Sequence, residues 1–294
     1  MILITQLIFW HDREKNVPVF KLTRFLISKV PGTFLCVTLL FMRIRVLGCH
    51  GGELPGFSSV SLLINDTICV DAGSITSVLT EKEQLKLKSI LITHAHMDHV
   101  RDLHFLVDNR FVGENVDEPV TVYGSPFVVK SIHDHIFNGV IWPDYTKAPA
   151  GAPLLYLQPL SVKPIQIEGF SVQAVSVPHA KEAVGYIVSD GKSTCVFSGD
   201  TASTEDLWKE CKKYKNVKAI FLELSYSERR KDLTSLARHH CPSTFVEELK
   251  KLPPNVTVYA YHLKPQFYKD IIKELKAKKL AHVKILKQGQ IIKI

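Results

Sequence analysis

Between residues 89 and 106 the chain reads Ser-Ile-Leu-Ile-Thr-His-Ala-His-Met-Asp-His-Val-Arg-Asp-Leu-His-Phe-Leu, and residues 94–99 hold three histidines and one aspartate. The run Ile90-Leu91-Ile92 has the branching of a buried strand. Val100, Leu103, Leu106 and Val107 recur at helical spacing. The spacing predicts a strand-to-helix loop that presents chemistry from a rigid strand.

Neutral imidazole nitrogen and carboxylate oxygen suit zinc, manganese or iron. In an extended segment His94 and His96 point the same way, because side chains repeat every second residue, so both can bind one ion. Asp98 and His99 come after the chain has turned, and a second ion is the natural reading for them. The bland alternative, a histidine-rich surface loop, fits poorly with three histidines and an aspartate set directly after a buried strand.

Composition narrows the class. A hydrophobic fraction of 46% and a charged fraction of 22% are ordinary for a soluble globular protein. The net charge of +8 is scattered, which suits a small anionic substrate and gives no sign of a dedicated nucleic-acid surface. Six cysteines form no Cys-x-x-Cys pair, so reduced, buried thiols in a cytoplasmic protein are expected. The apolar pieces of residues 1–41 are broken by charges and by Pro18 and Pro31, too short for a membrane span.

Further candidates stand where apolar strands end. Predicted strands at 172–177, 194–197 and 256–261 run into His179, Asp200 and His262 respectively. A hairpin is predicted across Asn65-Asp66. The proline-rich residues 148–164 are predicted to be a loop. Two runs of strands with helices after the loops predict two packed sheets flanked by helices. His50, in the glycine-rich loop 48–52, is a candidate neighbour of the site, with an exposed loop histidine as the alternative.

The His-x-His-x-Asp-His pattern, followed in order by His179, Asp200 and His262, resembles the metallo-β-lactamase superfamily over roughly residues 42–265. The resemblance implies an α/β fold, the αββα sandwich of two mixed sheets. It implies one metal on His94, His96 and His179, another on Asp98, His99 and His262, and Asp200 bridging them. Asp71, in Asp71-Ala-Gly73, would support the metal loop by hydrogen bonds without binding metal. Met42-Arg-Ile-Arg-Val-Leu-Gly48 looks like the family's first strand. The hydrolase domain is therefore expected to span residues 42–294, with residues 1–41 an extension outside the fold, a tail or a product of the start codon chosen.

The stretch His135-Ile-Phe-Asn-Gly-Val-Ile-Trp-Pro143 is similar to a segment of class II cyclic-nucleotide phosphodiesterases. By that resemblance Phe137 and Trp142 would form an aromatic wall for a base, plain core packing being the alternative. His240, just before Pro242, resembles a histidine that these enzymes carry before a helix. It would contact the phosphate or protonate the leaving alkoxide, with His239 as the alternative. Asp102, His104, Phe105, Ala202 and Ser203 depart from the pattern of that class.

The expected function is a metal-dependent hydrolase, a 3′,5′-cyclic-nucleotide phosphodiesterase. Its two divalent ions, zinc foremost with manganese or iron as alternatives, would hold a bridging hydroxide, with Asp98, Asp200 and His240 as the catalytic set. The alternatives are a hydrolase of the same fold acting on another phosphodiester, a thioester or a lactone, a tRNA-processing nuclease, and a non-catalytic metal scaffold. The segment between Asp200 and His262 is too short for the cap domain of the nucleic-acid-cutting branch, and no Gly-x-Ser-x-Gly elbow occurs. No stable nucleic-acid partner is expected, and a homodimer is left open.

Overall fold

The computed structural model describes residues 42–112 and 119–294, together with four short strands before residue 42. Those four pair antiparallel, Trp10–Asp12 with Val17–Val19 and Lys29–Val30 with Thr33–Phe34. They belong to a separate unit, Met1–Phe41, distinct from Met42–Ile294. The expectation for residues 1–41 otherwise lies outside the described residues.

Met42–Ile294 carries two seven-stranded sheets. The first runs in the order Leu155–Pro159, Val120–Gly124, Ser89–Leu91, Ile68–Val70, Ser61–Ile64, Arg43–Gly48, Ile291–Lys293. The second runs Ile165–Ile167, Phe170–Ser176, Val184–Ser189, Thr194–Phe197, Val217–Glu223, Thr257–Tyr261, Val283–Ile285. Each sheet is antiparallel at one end and parallel at the other.

Alternation along the strands assigns the layers. Ile44, Val46, Leu62 and Val70 of the first sheet meet Val172, Tyr186, Phe197 and Phe221 of the second in one buried core. On the outer face of the first sheet, Leu63, Cys69, Ile90 and Val122 pack under helices Leu103–Val112 and Pro126–His135. On the outer face of the second, Val196, Ile220, Leu222 and Val258 pack under Asp206–Cys211, Pro242–Leu249 and Tyr268–Ala277. The layers are α, β, β, α. Both faces of the central strands are covered, which is why they read as continuous apolar runs.

The hairpin turns at Asn65 and Asp66, whose φ of 46° and 65° are those of a type I′ turn. Residues 148–164 differ from the predicted loop, since Leu155–Pro159 pairs parallel with Val120–Gly124 as the edge of the first sheet. Proline is tolerated there because it ends an edge strand and no neighbour needs its missing N–H. Among the described residues no helix is long and apolar enough to cross a membrane. Cys49, Cys69, Cys195, Cys211 and Cys241 are free and buried.

Candidate metal centre

The parallel halves of the two sheets deliver strand C-termini to one edge, the usual place for a site in such sheets. After Val70 the chain enters Asp71 at φ 59°, a left-handed conformation that a non-glycine residue holds only when its surroundings impose it. The Asp71 N–H donates to Leu91 O at 2.9 Å. Its carboxylate accepts from the Thr93 N–H at 2.8 Å, the Thr93 hydroxyl at 3.0 Å and His99 Nδ1–H at 2.7 Å. His96 occupies the N-cap position of the single helical turn Met97–Val100, which carries Asp98 and His99. Gly73 runs beneath that turn, where an added Cβ would lie 2.2 Å from Asp98 O, so only glycine permits the approach.

The second sheet supplies the rest. His179 Nδ1–H donates to Arg238 O at 3.1 Å, and Arg238 Nη1 donates back to His179 O at 2.9 Å. Asp200 follows Gly199, whose φ is 61°. His262 is again left-handed, with φ 64°. Its N–H donates to Cys49 O at 2.7 Å and its Nδ1–H to Ser225 Oγ at 2.8 Å, which in turn donates to Glu223 Oε2 at 2.8 Å. Gly51 lies against the His262 ring, and an added Cβ there would sit 2.6 Å from it.

These outer contacts fix the tautomers. The Thr93 hydroxyl proton goes to Asp71, so His94 Nδ1–H donates to Thr93 Oγ1 at 3.1 Å. His94, His99, His179 and His262 are left with Nε2 turned inward. His94 Nε2 lies 2.9 Å from His96 Nδ1, which is 3.3 Å from His179 Nε2. His99 Nε2 lies 3.3 Å from His262 Nε2, and Asp98 Oδ2 stands 3.8 and 3.5 Å from the same two atoms. Asp200 Oδ2 faces both trios, at 3.7 Å from His94, 3.8 Å from His179, 3.4 Å from His99 and 3.1 Å from His262. Asp200 Oδ1 is buried without a hydrogen-bond partner. Opposed lone pairs beside an orphaned carboxylate oxygen are stable only around positive charge. The donor set therefore fits two divalent ions sharing Asp200.

The electrostatics divide the two halves. Burial lowers His94 well below its ordinary value, with His99 adding to the effect, and lowers His179 to about 4 against the pull of Asp200. Burial also lowers His96, again against Asp200. His99 goes the other way. Burial would lower it, but Asp200, Asp71 and Asp98 together raise it well above the usual range. Burial would raise Asp200, yet His262 and His99 hold it well below the usual carboxylate range.

His239, rather than its neighbour, faces the cluster. Its Nδ1 lies 3.1 Å from Glu223 Oε1 and 4.0 Å from Asp200, and its ring is 4.7 Å from that of His179. The His240 ring turns away, with Nδ1 3.1 Å from Thr244 Oγ1 and a buried, unpartnered Nε2. His240 was expected at the centre with His239 as the alternative; the structure turns the His239 ring toward the cluster and the His240 ring away from it. Phe137 is corrected. It is 0% exposed, in the outer core beside Tyr145, so it has no face to offer a base. Trp142 packs on His104 and Phe105, part of the same outer layer. His50 is buried against Phe57 and Tyr268, with Nδ1 3.3 Å from Leu263 O, one residue past His262.

Glu223, Ser225 and Arg238 escaped sequence reasoning. The signal for Glu223 was present, since a lone carboxylate interrupts the run Ala219-Ile-Phe-Leu-Glu-Leu, where acidic residues are rarely buried without a role.

An αββα sandwich with a buried His/Asp centre at one edge of its sheets defines a metallohydrolase. Residues 71–278 match the beta-lactamase superfamily domain, and the chain belongs to that metallo-β-lactamase superfamily. It is 23% identical over 274 residues to a probable 3′,5′-cyclic-nucleotide phosphodiesterase of Yersinia pestis, covering 75% of this chain and 78% of the relative. Among solved structures, unliganded yeast PDE1 superposes with a TM-score of 0.71 at 19% identity, over 87% of this chain and 100% of that one. The metallo-beta-lactamase fold protein YhfI of Bacillus subtilis gives 0.70 at 18% identity, over 86% and 100%. At these identities the structural matches speak for the fold.

Proposed function

We propose that the protein hydrolyses a cyclic 3′,5′-phosphodiester of a nucleotide at this centre, with zinc as the resident ion. The observation that carries the reading is the meeting of the two ligand trios at Asp200 Oδ2, with His239 beside it. Nitrogen-rich, thiolate-free donors favour zinc. The printed name of the Yersinia pestis relative supports the substrate class, as does the basic net charge of +8.

When bound, the ions supply the nucleophile and neutralise charge on the phosphoryl oxygens. His94, His96 and His179 would hold one, and Asp98, His99 and His262 the other, with Asp200 common to both. Asp71, Thr93, Ser225 and Arg238 keep the imidazoles in the tautomer that leaves the inward nitrogen free. Burial pushes Glu223 up to about 7, against the pull of His240, and lowers His239, whose Nδ1 lies 3.1 Å from Glu223 Oε1. His239 is held through Nδ1, which leaves Nε2 to protonate the departing 3′-oxygen.

The test is a panel of cyclic nucleotides, linear phosphodiesters and thioesters offered to zinc-reconstituted protein. Conversion of a cyclic nucleotide to its 5′-monophosphate is expected. Turnover of a thioester with none of any phosphodiester would overturn the reading.

A further inference from the structure

Beside His239 the wall of the centre is aromatic and cationic. Tyr226 follows Ser225, whose hydroxyl holds His262, and the Tyr226 N–H donates to His240 O at 3.1 Å. The Tyr226 ring centroid lies 5.7 Å from that of His239 and 5.7 Å from that of Phe267. Lys264, two residues past His262, sets its ammonium 5.5 Å from the Tyr226 centroid and donates to Gly51 O at 3.0 Å. Arg229 lies over the far ring, 5.1 Å from the Phe267 centroid. Tyr226, Lys264 and Phe267 are all partly exposed, unlike Phe137.

We propose that Tyr226 and Phe267 form the subsite for the nucleobase of the substrate, with Lys264 positioning the Tyr226 ring and His239 marking the boundary with the reacting phosphate. This rests on the phosphodiesterase reading above. Aromatic side chains stack on any base, because every base has a π-face. An ammonium over the ring adds a cation–π contact that holds its orientation. Tyr226 follows the serine that holds His262, and Lys264 lies two residues past His262 itself. The contacts that set the metal ligands therefore also set the distance of this wall from the reacting atoms.

Calorimetric titration of the metal-loaded full chain with adenosine 5′-monophosphate and with ribose 5-phosphate tests the subsite. The wild type should bind the nucleotide at least about tenfold more tightly, the scale of one stacked base. Tyr226→Ala should remove most of that preference while leaving ribose 5-phosphate affinity and ion content unchanged, and Tyr226→Phe should keep it. If Tyr226→Ala does not fold, Tyr226→Leu carries the test, since it keeps apolar volume without a π-face. Equal affinity for both ligands in the wild type, or an undiminished preference in Tyr226→Ala or Tyr226→Leu, would overturn the proposal. Failure to turn over any cyclic nucleotide would instead sink the functional reading, because this comparison of two ligands does not depend on turnover.

Discussion

His99 donates from Nδ1 to Asp71 Oδ2 at 2.7 Å, with side chains 0% and 1% exposed, while its Nε2 turns toward Asp98, Asp200 and His262. One buried carboxylate thus fixes the tautomer of a ligand and also ties down the Thr93 backbone before the next ligand, His94. Asp71→Asn keeps the shape but loses the charge that orients the imidazole. Affinity for the ion at Asp98, His99 and His262 should fall about 10–100-fold, with the His94 trio little changed. Competition with a chromogenic chelator reads the two affinities separately.

The same contact predicts unequal proton release. With its folded value raised above the unfolded one, His99 is charged at neutral pH in the metal-free protein. Its contribution to stability is full below the unfolded value and is lost as pH rises through the folded one. Loading its site at pH 7 should expel about one proton. His94, His96 and His179 are shifted the other way and are already neutral, so their site should load with little release. Calorimetry in buffers of different ionisation enthalpy measures both steps; equal release from the two sites would contradict the assignment.

Asp200→Ala should nearly abolish turnover while leaving the far-ultraviolet circular dichroism unchanged, because the substitution removes a carboxylate oxygen that lies within 4 Å of both trios. Near-normal activity would remove the two-ion account.

His239 and His240 should separate by readout. His239→Ala should lower kcat about 10²–10⁴-fold on cyclic nucleotides and far less on a nitrophenyl ester, whose leaving group needs no proton. His240→Ala should act on stability, since the ring is 1% exposed and bonded to Thr244, and a lowered Tm with near-normal kcat is expected.

The candidate ligand set was legible because its members stand just past the ends of apolar strands, on the loops and the short turn that follow, and strand periodicity is a strong local signal. Of the groups that orient it, Asp71 was legible through the family resemblance alone. Arg238 to His179 and Glu223 to His239 are joined across 59 and 16 residues, and no local pattern announces such pairs. Nor could His239 be told from His240, which differ only in which side of the chain faces the cluster. Phe137 misled for a similar reason. An aromatic beside a glycine turn suits a wall or a core equally well, and here the core holds it. Phe137→Ala should therefore destabilise the fold by about 3–5 kcal/mol, with no discrimination between substrates.

The central claim is that two ions share this edge of the sandwich. Anomalous diffraction from crystals of zinc-loaded protein tests it most directly. Two peaks are expected, one among His94 Nε2, His96 Nδ1 and His179 Nε2 and the other among Asp98, His99 and His262, with Asp200 between them. A single peak, or peaks away from these atoms, would contradict it.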